Sequence, residues 1–107
     1  MTALTDLKRL VECESPTEDL VACNQVVDLA IEITNSLLKV KAEKVMENGR
    51  PVYWWGSKSP KIVLLCHIDT VWPKGSFTPT WQVNGDVATG PGVFDMKAGF
   101  IQALYSL

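Results

Sequence analysis

Basic stripes, long apolar runs and paired cysteines are all missing from this sequence, and each absence narrows what the chain can be. Ten lysines and arginines face twelve acids across 107 residues, for a net charge of -2. That balance leaves no electrostatic footprint for a nucleic acid. No stretch approaches the roughly 18 apolar residues of a membrane span. The opening MTALTDLKRL carries Asp6 and has no apolar centre, so it does not read as a secretory signal. Neither nucleic acid nor membrane is therefore expected as a partner. Cys13, Cys23 and Cys66 make an odd number without paired spacing, and free thiols in a reducing cytoplasm are the expectation. Histidine is scarcest of all, with His67 the only one. Repeats, low-complexity tracts and linkers are absent too. Residues 1–107 read as one domain, or as part of a larger one.

What is present is an ordinary globular balance, 47% apolar and 21% charged, enough to build a packed core. Residues 2–12 predict a short amphipathic helix with Leu4, Leu7, Leu10 and Val11 on its apolar side. Ser15-Pro16-Thr17-Glu18 then has the form of a capping box with proline at the first helical position. The helix it opens should run to about Leu38, burying Leu20, Cys23, Val27, Ala30, Ile31 and Leu37. Asn48-Gly49 is a strong hairpin signal between strands at 39–46 and 52–55. Trp81-Gln82-Val83 and Val87-Ala88-Thr89 predict a second small hairpin, and 96–107 a helix with Phe100, Ala103, Leu104 and Leu107 inward. The order implies an α/β fold, a mixed sheet layered with helices.

The chain is organised around the run Ile62-Val63-Leu64-Leu65-Cys66 and the polar residues just past its end. An unbroken, β-branched apolar run predicts a strand buried on both faces. His67 and Asp69 come at its carboxyl end, where open α/β sheets place their ligands. Alternation puts both on one face, with Cys66 and Ile68 on the other. Asp69 can then accept the second ring N–H of His67 and fix its orientation. The plainer alternatives are a structural histidine and an aspartate that starts a turn with Thr70. Asp95 follows Gly90-Pro91-Gly92 and precedes the last helix, so it can be that helix's N-cap, a metal ligand, or both. The glycines favour a site, because they permit close backbone approaches.

The pieces together resemble a family. His67-Ile68-Asp69-Thr70-Val71-Trp72-Pro73-Lys74-Gly75 has the form H-x-D-T-V-x-P-x-G, the first metal motif of the M20 family of co-catalytic zinc peptidases. Gly90-Pro91-Gly92-Val93-Phe94-Asp95-Met96-Lys97-Ala98-Gly99 resembles the second, G-x-G-x-x-D-x-K-x-G. The D-T-V-x-P-x-G form is most like the glutamate carboxypeptidase-like branch. Cys66 departs from the small residue common before the histidine and is read as packing. The resemblance implies that His67 ligates one zinc, that Asp95 bridges two, and that Asp69 supports catalysis by orienting His67. It also implies a cis peptide after Asp95. The implied activity is hydrolysis of a peptide or N-acyl amino acid bond by a metal-activated water.

Residues 96–107 contain neither an acid nor a histidine, so the family's general base and remaining ligands are not here. The chain is accordingly read as the amino-terminal fragment of a catalytic domain, inactive alone and prone to self-association if its apolar strand is uncovered. Two other readings compete: a non-catalytic binding module that retains half of a metal site, and a stand-alone protein with a single zinc. Trp72 is assigned to the cleft, Trp54, Trp55 and Trp81 to the core, and Lys97 to a solvated helix face. A shared metal predicts ligating atoms of His67 and Asp95 about 3–4 Å apart.

Overall fold

Thr2 accepts a hydrogen bond from the Thr5 amide and opens α1, Ala3–Glu12, in a computed structural model that describes residues 2–107. Leu7, Leu10 and Val11 are buried, whereas Leu4 faces solvent. Asp6 is buried as well and accepts a bond from the Tyr105 hydroxyl on the last helix.

The second helix, α2, runs Leu20–Leu38 and starts later than the capping box predicts. Asp19 is its N-cap, accepting from the Ala22 amide at 3.0 Å. Ser15-Pro16-Thr17 is pulled out of the helix by tertiary bonds instead. Thr70 N donates to Ser15 O at 2.8 Å and Thr17 N to Thr70 O at 3.0 Å, so Pro16 pairs parallel with Thr70. Ser15 Oγ donates to Ile68 O at 2.7 Å rather than to its own helix. Three bonds to a distant segment outweigh one local cap, each bond being worth roughly 1 kcal/mol. The buried stripe of α2 is Ala22, Cys23, Val26, Val27, Ala30, Ile33 and Thr34; Leu20 is exposed, and Ile31 and Leu37 are only half-buried.

Strands β1, Glu43–Glu47, and β2, Arg50–Trp54, form the first hairpin. Asn48 and Gly49 both have positive φ, 52° and 78°, as a type I′ turn demands. The hairpin leans on α2 through β2, where Tyr53 and Thr34 share a 3.1 Å hydroxyl bond. The second hairpin pairs β3, Gln82–Asn84, with β4, Val87–Thr89, around Gly85 at φ 58°. A π-helical turn, Val93–Lys97, leads into α3, Ala98–Ser106. Phe100, Ile101 and Leu104 are the buried face of α3, and Leu107 is exposed.

The fold is thus a mixed α/β arrangement of three helices and two small antiparallel sheets. One expectation is corrected. No single mixed sheet forms among the described residues, and Ile62–Cys66 pairs with no strand. Ile62, Val63, Leu64 and Leu65 are between 59% and 90% exposed. A strand buried on both faces needs neighbours at both edges, and neither hairpin brings its open edge to this run. The core lies to one side, where Leu10, Val11, Val26, Ile33, Phe100 and Leu104 of the three helices meet, with Ile68 inserted from the chain beside the run. Complete burial of one such side chain contributes about 1.5–3 kcal/mol.

Candidate metal centre

Two limbs of irregular chain carry the site, and both are held by backbone bonds. The first limb is His67–Thr70. Ile68 points into the core, and its carbonyl and the Thr70 amide and carbonyl are taken by Ser15 and Thr17. His67 and Asp69 therefore turn outward together, as alternation requires. Cys66 packs against the core from the opposite side, and burial raises its thiol pKa. A protonated, inward thiol is a poor ligand.

The second limb runs from Gly90 to Lys97. Gly92 has φ 78°, and a Cβ there would lie 2.5 Å from Thr70 Cγ2. A Cβ at Gly90 would meet Val11 Cγ1 at 2.5 Å and Thr80 O at 2.6 Å. Both glycines are needed because this limb lies directly on α1 and on the first limb. Within the π turn, Lys97 N donates to Gly92 O at 2.9 Å. Asp95 has non-helical backbone angles, φ −124° and ψ 93°, and the Asp95–Met96 peptide is cis. Asp95 does not cap α3, whose N-cap is Lys97 with no side-chain bond.

These limbs bring all three predicted residues together. His67 Nε2 lies 2.9 Å from Asp95 Oδ1, and His67 Nδ1 lies 3.1 Å from Asp69 Oδ1. The His67 amide also approaches Met96 Sδ at 3.4 Å, stitching the limbs once more. Exposure rises across the trio from Asp69 to His67 to Asp95, whose side chain is 73% exposed. Burial by itself would lower the His67 pKa, but bonds to Asp95 and Asp69 outweigh it and raise the ring above its ordinary value. For Asp69, burial acts to raise the pKa, yet the Thr17 hydroxyl and the His67 ring hold it below the usual range.

Other residues were misread or missed from the sequence. Lys97 is no solvated residue: it is fully buried, and its Nζ donates to Leu10 O at 2.7 Å and Cys13 O at 3.3 Å. It thereby satisfies carbonyls at the C-terminal end of α1, where a cation is favoured. Burial pushes its pKa down to about 8. Thr17, whose Oγ1 donates to Asp69 Oδ2 at 2.7 Å, escaped notice because Ser15–Glu18 has the pattern of a cap. Trp72 stands 45% exposed beside the site limb and packs edge-on against Phe77. Trp54, Trp55 and Trp81 are half-buried, the last two against the core.

The donor set fits part of a zinc site. An imidazole nitrogen and a carboxylate oxygen are both suitable donors, and two ligands of a tetrahedral zinc sit about 3.3 Å apart at bond lengths of about 2.0–2.1 Å. Widening the 2.9 Å contact by a few tenths of an ångström would admit an ion. Among the described residues, however, no group of three or more His, Cys, Asp or Glu side chains converges to hold one. No helix is long and apolar enough to cross a membrane. No protein-family model, curated protein or solved structure matches the chain.

Proposed function

We propose that the chain is the amino-terminal part of the catalytic domain of a zinc-dependent hydrolase, resembling the M20 peptidases, that cleaves peptide or N-acyl amino acid amide bonds. The observation that carries this reading is the imidazole of His67 held between Asp69 and Asp95, with Nε2 aimed at the exposed carboxylate. In this reading His67 and Asp95 hold zinc, and Asp69 orients the ring. The second Asp95 oxygen has no hydrogen-bond partner among the described residues, so Asp95 would be the residue to serve a second ion. When bound, zinc supplies Lewis acidity to an amide carbonyl and to a water molecule. The chain's own part is to present two donors in fixed geometry on an open rim that a small substrate can reach.

The proton acceptor and the remaining ligands belong, on this proposal, to sequence outside these residues. Two observations support that: only two donors face one point, and the run Ile62–Leu65 stands exposed beside an apolar groove of about 440 Å³ floored by α2, β2 and α3. Further strands would cover both. The free thiols Cys13, Cys23 and Cys66 support a reducing, cytoplasmic setting. The small donor set also favours a second reading, a non-catalytic module that keeps half of a metal site.

Calorimetric zinc titration and hydrolysis assays on N-acyl glutamate and dipeptides test the proposal. The expected result is weak zinc binding, abolished by His67→Gln or Asp95→Asn, and no turnover by the 107-residue chain. Zinc-dependent turnover should appear in the longer protein, whose sequence past Leu107 should supply adjacent glutamates and a histidine. A longer protein without those residues and without turnover would leave the binding module as the better account.

A further inference from the structure

A neutral imidazole carries one proton, and the nitrogen that lacks it holds the lone pair a cation needs. His67 has a carboxylate at each nitrogen, Asp69 at Nδ1 and Asp95 at Nε2, so the two compete for that proton. Nδ1 also lies 3.2 Å from the Asp69 carbonyl, and a further restraint comes from outside the trio. Thr17 Oγ1 is 2.7 Å from Asp69 Oδ2 and 3.1 Å from Thr70 O. A hydroxyl has one proton to give, and the nearer, charged oxygen is the stronger acceptor.

With Oδ2 held by Thr17, Oδ1 of Asp69 is turned onto Nδ1. Thr17 itself has little freedom to swing away. Its N–H donates to Thr70 O at 3.0 Å, and its carbonyl accepts Arg50 Nη1 from β2 at 2.6 Å. Asp95 has no such restraint: among the described residues its carboxylate bonds only to the ring, and it is far more exposed.

We propose that Thr17 is a positioning residue of this site: by holding Asp69 Oδ2 it turns Oδ1 onto His67 and keeps the ring proton on Nδ1, which leaves Nε2 with a lone pair that can meet Asp95 only through a shared cation, the exposed carboxylate turning aside without one. Proton placement stands without any metal; only its consequence for zinc rests on the function proposed above.

His67 is the chain's single histidine, so a long-range ¹H–¹⁵N NMR spectrum of the labelled protein reports this ring alone. Recorded above the ring's titration, the wild type should show the Nδ1–H tautomer. Thr17→Val removes the hydroxyl at nearly constant shape and should move the proton to Nε2, beside Asp95. Thr17→Ser restores a hydroxyl and should keep it on Nδ1. Calorimetric zinc affinity should fall about 10-fold or more in Thr17→Val and recover in Thr17→Ser. A wild-type Nε2–H ring overturns the proposal by itself, even if the valine variant does not fold. So does a folded Thr17→Val protein with an unchanged tautomer. A tautomer that follows the Thr17 hydroxyl in a chain that binds no zinc in any form upholds the role of Thr17 and counts against the metal reading instead.

Discussion

Lys97 and His67 are two basic side chains whose surroundings act in opposite senses. The imidazole stands on an open rim between two carboxylates, which raise its pKa against burial. The ammonium is enclosed, with two carbonyl oxygens for partners, and burial lowers it from 10.5 to about 8. That depression has a sign for stability. Between about pH 8 and 10.5 the unfolded chain holds the proton and the folded one does not, so stability rises with pH there. The contribution is complete above the unfolded value and is lost as pH falls through about 8. Lys97→Met keeps the stem but cannot titrate, and the difference between wild type and variant removes the other titrating groups. That difference should grow in favour of wild type by on the order of 3 kcal/mol between pH 7 and 10.5. Urea unfolding at pH 7, 8.5 and 10 measures it, and a flat difference would show that Lys97 reaches water. Nothing in the pattern around Met96–Gly99 marks the lysine as buried. Its burial depends on α1 ending where the π turn passes, a contact across most of the chain.

At the scale of elements, the site depends on how closely irregular segments can lie together. Ser15–Thr17 runs beside Thr70, and Gly92 lies against the Thr70 side chain from the other limb. Gly92→Ala meets both a left-handed φ and a 2.5 Å contact with Thr70 Cγ2, whereas Gly75→Ala, at φ 79°, meets no atom within 4 Å. The Gly75 variant should lose about 1 kcal/mol from the φ penalty. The Gly92 variant should lose at least about 2 kcal/mol, because overpacking adds to it. Thermal unfolding of the two gives the contact contribution by subtraction, and equal losses would mean that the limbs yield without cost. Both hairpins were legible in sequence because their turns need positive φ at Asn48, Gly49 and Gly85. The start of α2 was not legible: the Ser15 capping box pointed to an earlier start, and long-range bonds to Ile68 and Thr70 take Ser15–Thr17 out of the helix and leave Asp19 as its cap.

For the whole molecule, the consequential feature is the exposed run Ile62–Leu65. Unpaired backbone and bare apolar side chains together form an edge that recruits other chains. The 107-residue protein should therefore self-associate with rising concentration. Leu65, at 90%, is the most exposed of the four, so Leu65→Lys should shift the population toward monomer. Its unfolding free energy should change by no more than about 0.5 kcal/mol. Sedimentation velocity over a concentration series checks both parts, and a wild type that stays monomeric throughout would show that the run is harmless as it stands.

The sequence by itself determined the local matters: three helices, two tight hairpins, and a histidine and two aspartates set on a rim rather than in the core. Periodicity, turn chemistry and alternation act over a few residues, so they can be read there. Tertiary structure alone decided which hydroxyl restrains Asp69, that Lys97 is enclosed, and that the most strand-like run pairs with nothing. Each of those depends on which distant segment arrives beside a residue. For Ile62–Leu65 none does among the described residues, and an apolar pattern cannot supply the neighbours it needs to be buried.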